Sequence, residues 1–311
     1  MCIVAALLIL ISCLAPAQDL PPSGRPTPPP NVVPDRQIYV NARSVVDETP
    51  EQIIARIPEL KDADFSSNPA ELAPLLQKIG EKVDALFKDF PNVGAQELVR
   101  QRRSNPVLHT QSQTSRRCLY LVSVTIDPLE MLVEEYRSDF HGRPLEFSEL
   151  QRSFMLTSGY VLQSLQFHPL GQRGCRFRLL GRQRKAPGYF LMAFAQRPEV
   201  RGLSTQLNLH TNSFTLLAQG VAWIDPDTYR IVRLWTDLLA PRDDIGILKH
   251  LTDTEFGEVH FENIDRPFWL PRQVKVTVQW GGELFTNQHS YSDYKIFSVE
   301  MRDGEKKLIK P

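Results

Sequence analysis

The feature that most constrains the fold is a series of short alternating segments in the last two thirds of the chain. Between Val274 and Trp280 every second residue is apolar, which is the period of a strand with one buried face. Gly281 and Gly282 follow and predict a tight turn into a second strand over 283–291. Similar segments, each bounded by turn residues, recur from residue 117 onwards and predict an antiparallel sheet.

The clearest hairpin is predicted at 220–235, where apolar runs flank Asp225 and Pro226. The Asp225 side chain can open the turn, and the ring of Pro226 fixes the φ angle of Pro226 itself, which is the next turn position. Other strands are predicted at 117–126, 132–140, 160–168, 175–181, 188–195, 206–217, 254–264 and 292–300.

Helices are predicted ahead of these strands. Residues 49–52 read Thr-Pro-Glu-Gln, a capping box with proline at the first helical position. Over 72–90, apolar residues recur at steps of four and three, which predicts an amphipathic helix packed on the body of the protein. The segment 95–103 fits either a helix or a transition into the sheet, and 105–115 fits a polar connection.

Residues 1–17 predict a signal peptide for export, because a short apolar run is followed by two processing sites. The run is too short to span a bilayer. Residues 10–13 fit a lipobox that would lipidate Cys13, whereas residues 15–17, Ala-Pro-Ala, fit simple cleavage. Both alternatives predict a periplasmic protein, either lipid-anchored or free. The proline-dense stretch that follows predicts an extended linker over 18–45.

Charge and cysteine content exclude several classes of protein. The 311 residues carry 36 basic and 36 acidic side chains, so a nucleic-acid binder, which normally has a basic excess, is not indicated. Outside the signal, Cys118 and Cys175 form either one disulfide or two separate buried thiols. The sequence contains no C-x-x-C, G-x-S-x-G, H-E-x-x-H, Walker or Rossmann motif. We therefore predict no catalytic residue, no metal and no cofactor.

Two weaker patterns of polar residues are open to a chemical interpretation. Glu258 and His260 are two apart and share one face of a predicted strand, where they could hold a metal together with His210. His260 and His289 could instead serve an unrecognised hydrolase. Neither spacing is distinctive, and solvent-facing strand residues explain both patterns more simply.

The hairpin and the segments after it resemble a known family. Residues 220–234 follow the pattern G-x-A-W-I-D-P-x-T-x-R-I-x-R-L, and the segments 254–259, 268–271 and 291–297 follow in order. This order is similar to that of uncharacterised exported bacterial proteins of the LolA/LolB-like superfamily, which includes outer-membrane lipoprotein carriers and the amino-terminal domain of the sigma-factor regulator RseB. The resemblance covers 115–300 and implies an incomplete antiparallel β-barrel whose concave face, covered by helices, holds acyl chains.

We therefore expect an α+β protein, in which an incomplete antiparallel β-barrel, a LolA-like half-barrel, is preceded by an N-terminal helical segment. The expected parts are a signal peptide at 1–17, a proline-rich linker at 18–45, a helical region at 46–104 and the β-domain at 115–301.

The resemblance implies a non-enzymatic binding protein of the bacterial cell envelope, whose partner is a lipid, an acyl chain or a lipidated protein. The alternatives are a protein-interaction or stress-sensor module of the envelope, and an unrecognised hydrolase. An apolar inner face suits acyl ligands because burying apolar surface is favourable. Candidates for lining that face occupy alternating strand positions: Phe190, Phe194, Trp223, Trp235, Val276, Val278 and Trp280.

Overall fold

The computed structural model describes residues 5–6, 34–88, 90–105, 107–127, 130–143, 145, 159–200, 204–209, 212–262, 264–302 and 305–309. Apart from residues 5–6, the expected signal peptide lies outside these ranges, as do Cys13, His210 and most of the linker. In the described part of the chain, no helix is long and apolar enough to cross a membrane.

One large antiparallel sheet dominates the structure, as the alternating sequence pattern predicts. The described strands are β1 (Ala5–Ala6), β2 (Ala63–Asp64), β3 (Val93–Asn105), β4 (Thr110–Asp127), β5 (Glu130–Ser138), β6 (Cys175–Gln183), β7 (Phe190–Gln196), β8 (Thr205–Leu209), β9 (Asn212–Leu216), β10 (Ala218–Ile224), β11 (Ile231–Leu238), β12 (Ile247–Phe261), β13 (Ile264–Trp280), β14 (Glu283–Ile296), β15 (Ser298–Arg302) and β16 (Glu305–Ile309).

The main sheet has 11 strands in the order β2-β6-β7-β10-β11-β12-β13-β14-β3-β4-β5. Its two edge strands, β2 and β5, do not pair with each other in the described residues, so the sheet does not close into a barrel. Strands β1, β8 and β9 form a separate small sheet, and β15 pairs with β16. Most connections in the main sheet are hairpins, which accounts for the antiparallel pairing.

Helices occupy the start of the chain and the connection between β5 and β6. Helix α1 begins with the capping box that the sequence predicts, since the Thr49 side chain accepts from the Gln52 amide and the Gln52 side chain accepts from the Thr49 amide. The helices are α1 (Pro50–Arg56), α2 (Leu72–Lys88) and α3 (Pro169–Gln172), and 3₁₀ turns lie at Pro34–Tyr39, Pro58–Asp62, Pro69–Glu71, Leu162–Phe167 and Asp243–Ile245.

The structure decides or corrects three of the local predictions. The segment 95–103, left open between helix and sheet, lies within strand β3, where alternate residues are buried. Residues 105–115 are not a polar connection throughout, because β4 already starts at Thr110 and pairs with β3. The strand predicted at 160–168 was wrong, since residues 162–167 form a 3₁₀ turn.

The two faces of the sheet are covered by different parts of the chain. Apolar residues of α2 and of the segment 159–172 pack on one face, here called the α2 face. The segment 34–65, which contains α1, packs on the opposite α1 face. Part of the predicted linker is therefore folded, since Tyr39 and Val45 are buried against the sheet.

Candidate functional site

The seven residues that the sequence predicts to line one apolar face lie on two opposite faces of the sheet. Phe190 and Phe194 point to the α2 face, where their strand partners are Ile224 and Gly220. Both phenylalanines belong to the main apolar core that α2 completes, and the Phe194 ring lies 5.4 Å from that of Phe167. In the structure they contribute to a filled core.

Trp223 and Trp235 lie on the opposite, α1 face, so the expectation of a single lining needs correction at these two positions. Trp223 pairs with Leu191 and packs with residues of α1, and the Arg233 guanidinium lies 4.6 Å from its ring centre. Every residue of β10 after Ala218 is buried. Because both faces of this strand are apolar, alternation in the sequence could not indicate which face each residue takes.

Val276, Val278 and Trp280 do lie together, on the α2 face of β13. With Val274 they form a stripe, here called the valine strip, whose cluster also contains Tyr160. The Trp280 indole N–H donates to the Ile245 carbonyl at 3.0 Å, which fixes the ring at the end of the strip.

The valine strip lies beside β12 side chains whose polar atoms have no hydrogen-bond partner in the described structure. Thr254 is opposite Val274 and fully buried, and its Oγ1 is unpaired. His250 is opposite Val278, and its Nε2 is also buried without a partner. Burial lowers the pKa of His250 to about 4, so its imidazole is neutral at neutral pH. These atoms can accept or donate hydrogen bonds that the protein itself does not supply.

A buried charged cluster lies further along the same face, centred on Glu97 of β3. Arg137 of β5 binds this carboxylate with two nitrogens, one of them at 2.9 Å. The His289 ring nitrogen Nδ1 lies 2.8 Å away, the Tyr291 hydroxyl donates at 2.9 Å and the Cys118 thiol donates at 3.2 Å. Strand register brings these groups together, because Tyr291 and Cys118 stand directly opposite Glu97 on β14 and β4.

The charges in this cluster compensate each other. Burial raises the pKa of the Glu97 carboxyl, but Arg137 and His289 outweigh that effect and the net shift is downward, so the carboxylate is ionised. Burial lowers the pKa of His289 despite Glu97, which leaves the imidazole neutral. A neutral ring that donates from Nδ1 to Glu97 must accept at Nε2, and the Tyr160 hydroxyl lies 3.1 Å from that atom.

Glu135 of β5 holds the start of the segment 159–172 on the sheet. Its carboxylate accepts hydrogen bonds from the backbone amides of four consecutive residues, Gly159 to Leu162, at 2.8 to 3.1 Å. The Tyr120 hydroxyl donates a fifth bond at 2.7 Å. Burial raises the pKa of Glu135, although all these donors favour its ionised form.

Sequence reasoning missed Glu97, Glu135 and Arg137. One available signal was the run Glu135-Tyr136-Arg137, which places a carboxylate and a guanidinium on one face of a strand. That signal is weak because solvent-facing strand residues have the same pattern. The partner Glu97 is 40 residues away from Arg137 and becomes evident only from the register.

Cys118 and Cys175 are free, buried thiols, which is the second of the two alternatives predicted from the sequence. They lie in β4 and β6, far apart in the strand order. Cys175 donates to the Gln166 side chain at 3.1 Å. Burial raises the pKa of each thiol to about 12, so both are protonated and unreactive at neutral pH.

Of the residues considered for metal binding or hydrolysis, Glu258 and His260 are neighbours, His289 lies in a different cluster, and His210 lies outside the described residues. His260 is 71% exposed and lies 3.7 Å from Glu258, whereas the His289 side chain is fully buried in the Glu97 cluster. Among the described residues, no group of three or more histidine, cysteine or acidic side chains is placed to hold a metal ion.

No protein-family model matches the sequence, and no curated protein matches it. Three solved structures are similar at low identity. An outer membrane lipoprotein-sorting protein domain of Vibrio parahaemolyticus is 12% identical with a TM-score of 0.36, covering 71% of this chain and 91% of its own. A DUF1329 family protein of Desulfovibrio piger is 12% identical with a TM-score of 0.36, covering 74% and 94%.

The third is a LolA superfamily protein of Nitrosomonas europaea, 14% identical with a TM-score of 0.30, covering 72% of this chain and 94% of its own. Two of the three structures thus carry names from the superfamily that the sequence motifs resemble.

Proposed function

We propose that the protein binds the apolar chain of a lipid or of a lipidated polypeptide on the α2 face, against the valine strip. The observation that carries this proposal is a contrast between two parts of that face. One part is filled by Leu75, Ile79, Val83 and Phe87 of α2 and by apolar residues of the segment 159–172. In the cluster of the valine strip, Tyr160 is the described side chain contributed from outside the strands. The three valines are 0–6% exposed, so a ligand would reach them past the partly accessible rings of Trp280 and Phe285.

The chemistry of the strip favours an uncharged chain with a hydrogen-bonding group. Each buried methylene contributes about 0.8 kcal/mol to binding, and Trp280 and Phe285 keep part of their surface accessible for such contact. The nearby guanidinium of Arg137 is already paired with Glu97, so it offers no free charge to an anionic head group. Thr254 and His250 supply unpaired polar atoms for an ester or hydroxyl of the ligand.

The fold and the cellular location that we infer for this function are a LolA-like half-barrel and the periplasm. The open sheet with helical cover is consistent with a LolA-like half-barrel, and the signal at 1–17 supports a periplasmic protein that is either lipidated at Cys13 or cleaved after residue 17. We assign a binding role and no enzymatic one, because the histidines considered for hydrolysis lie apart.

Titration with the methyl ester of cis-parinaric acid, an uncharged fluorescent acyl chain, tests this function. We expect saturable binding by the full chain, and about tenfold weaker binding after Val278→Gln, because a carboxamide in an apolar lining is desolvated without a partner. Thr277→Gln is the matched control, since Thr277 is the neighbouring residue on the opposite face of β13. Circular dichroism checks that both variants are folded.

Failure of the full chain to bind the probe would count against the proposal, as would equal affinities of the Val278 and Thr277 variants. In that case, co-purification of one stable protein partner from the periplasm would favour the alternative, an interaction or sensor module of the envelope.

A further inference from the structure

The hairpin formed by β3 and β4 ends in two exposed aliphatic side chains. Val107 is 79% exposed and Leu108 is 67% exposed, the two highest values among the large apolar residues described as exposed. They lie in the turn between Asn105 and Thr110, beyond the last pair of the ladder. Neither residue belongs to an apolar cluster of the described core, so folding of the chain does not account for them.

The backbone at this tip is already hydrogen-bonded within the turn. Asn105 Oδ1 accepts from the amides of both Val107 and Leu108, each at 3.0 Å. A tip with paired amides can leave water at lower cost, because unpaired backbone donors are expensive to bury. The turn therefore exposes two aliphatic side chains whose own backbone amides are already hydrogen-bonded.

The hairpin is strongly basic although the whole chain is neutral. Between Glu97 and Asp127 the sequence has five arginines and no acidic residue. Arg103 is paired with Glu283 at 2.7 Å. Arg100, Arg102 and Arg117 are exposed, and no ion pair is formed by any of them with the residues that the structure describes. The strands of the hairpin thus carry uncompensated positive charge behind the apolar tip formed by Val107 and Leu108.

We infer that this hairpin docks on an anionic lipid bilayer, with Val107 and Leu108 entering the interface and the nearest arginines contacting lipid phosphates. Apolar side chains at a membrane surface enter about 5–10 Å into the boundary between head groups and acyl chains. At a rise of about 3.4 Å per residue, Arg102 lies about 10 Å and Arg100 about 17 Å behind Asn105. Arg117 lies about 24 Å behind Thr110, beyond the Debye length of about 8 Å at physiological salt.

A protein strand added to the hairpin edge explains the same features less well. Strand β5 pairs with β4 only from Leu119 onwards, so the edge over 110–118 is open in the described structure. A strand bound there would pair with the backbone of β4 but would leave Val107 and Leu108 exposed beyond the ladder. A bilayer would bury both side chains and bring lipid phosphates to the unpaired arginines nearest the tip, so it accounts for both features of the hairpin.

Sedimentation of the full chain with lipid vesicles tests the inference. We expect binding to vesicles of phosphatidylethanolamine and phosphatidylglycerol, and weaker binding to phosphatidylcholine vesicles. The double change Val107→Ser and Leu108→Ser should lower the partition coefficient at least about tenfold, since two aliphatic side chains no longer enter the interface. Both positions are exposed, and thermal unfolding confirms that the variant folds.

The charge reversals Arg102→Glu and Arg117→Glu form a matched pair on one face of the hairpin. Each arginine near an anionic surface contributes about fivefold in affinity, so Arg102→Glu should weaken binding about fivefold or more, and Arg117→Glu by less. Equal effects of the two reversals, or equal binding to the two kinds of vesicle, would overturn the tip-first orientation and its dependence on charge.

Depth measurement provides an independent readout. Leu108→Trp keeps the tip apolar, and its fluorescence should be quenched by brominated lipids, whereas Ser112→Trp, further back on the hairpin, should be protected. Two results would show that another surface contacts the membrane. One is vesicle binding by the Val107→Ser, Leu108→Ser variant that is as strong as that of the unmodified chain. The other is a lack of quenching in the Leu108→Trp variant.

Discussion

At the scale of single residues, Glu97 is a buried carboxylate whose charge must be compensated for the fold to be stable. Its side chain is 0% exposed, and its charge is compensated by Arg137, which is itself 7% exposed. Removing one partner of a buried pair leaves an uncompensated charge and typically costs about 3–5 kcal/mol. The pair also joins β3 to β5 across β4, so its loss affects three strands at once.

We therefore predict that Arg137→Met lowers the free energy of unfolding by about 3–5 kcal/mol in urea denaturation. Arg103→Met is the matched control, because the Arg103–Glu283 pair is partly exposed and such pairs contribute at most about 1 kcal/mol. The double variant Glu97→Gln and Arg137→Met should recover part of the loss, since it removes the buried charge. A loss in Arg137→Met no larger than in Arg103→Met would contradict this account.

The Glu97 cluster also shows what single residues in the sequence could not indicate. The chain positions of Glu97 and His289 differ by 192 residues, and their contact depends on the register of β14 against β3. Glu97 shares one face of its strand with the apolar residues Ala95 and Val99. An acidic residue in such a position is as typical of an edge strand or a partly exposed strand as of a buried one. Burial of that position follows from the tertiary packing.

At the scale of elements, the hairpin at 220–235 was predicted correctly because its turn is locally determined. Asp225 Oδ1 accepts from the amides of Asp227 and Thr228, and β10 and β11 pair on either side. Gly220 was also needed at its position, since a Cβ there would lie 2.2 Å from the Trp235 carbonyl oxygen. These constraints all involve residues near in sequence.

The segment 160–168 was wrongly predicted as a strand because its conformation depends on a distant residue. Glu135 accepts hydrogen bonds from the amides of residues 159–162, which favours a 3₁₀ turn at that point. The apolar residues 162, 165 and 167 then pack in the core with α2. The local sequence contains no signal for an acceptor from another strand, so tertiary context overrides the apolar pattern.

We predict that Glu135→Gln loosens the segment 159–172. The amide offers one acceptor oxygen in place of two and turns an NH2 group towards backbone donors, which should cost about 1–3 kcal/mol. Hydrogen exchange of residues 159–162 should accelerate while the β10–β11 hairpin stays protected. Tyr120→Phe removes one of the five bonds and leaves the backbone amides paired, so it should cost only about 1 kcal/mol. Unchanged exchange in Glu135→Gln would contradict the role of this carboxylate.

At the scale of the whole molecule, the strand pattern predicted an antiparallel sheet but not the way its two faces are used. Strands in the middle of the sheet are apolar on both sides, as in β7, where every residue is buried. Coverage of both faces follows from the N-terminal segment 34–65 packing opposite α2. Because residues 34–45 directly follow the proline-dense stretch, composition alone favoured an extended linker there.

The buried histidines predict how the stability of the molecule depends on pH. Burial lowers the pKa of His250 to about 4 from an ordinary value of 6.5, and it lowers that of His289 as well. The unfolded chain therefore binds more protons than the folded chain below pH 6.5. Stability contributed by these residues is fully present above pH 6.5 and is lost as the pH falls towards 4. Glu135 acts in the opposite direction, because its pKa is raised by burial.

The contribution of His250 can be isolated by comparing variants across this pH range. One proton of difference between the unfolded and folded chains changes the free energy of unfolding by about 1.4 kcal/mol per pH unit. We predict that His250→Phe flattens the decline between pH 6.5 and about 4 by up to that slope, in urea denaturation at several pH values. His141→Gln, which removes a histidine whose side chain is 81% exposed, is the control. If both variants retain the slope of the unmodified chain, then protonation of His250 does not limit its stability in acid, and the decline must arise from other groups such as His289 and Glu97.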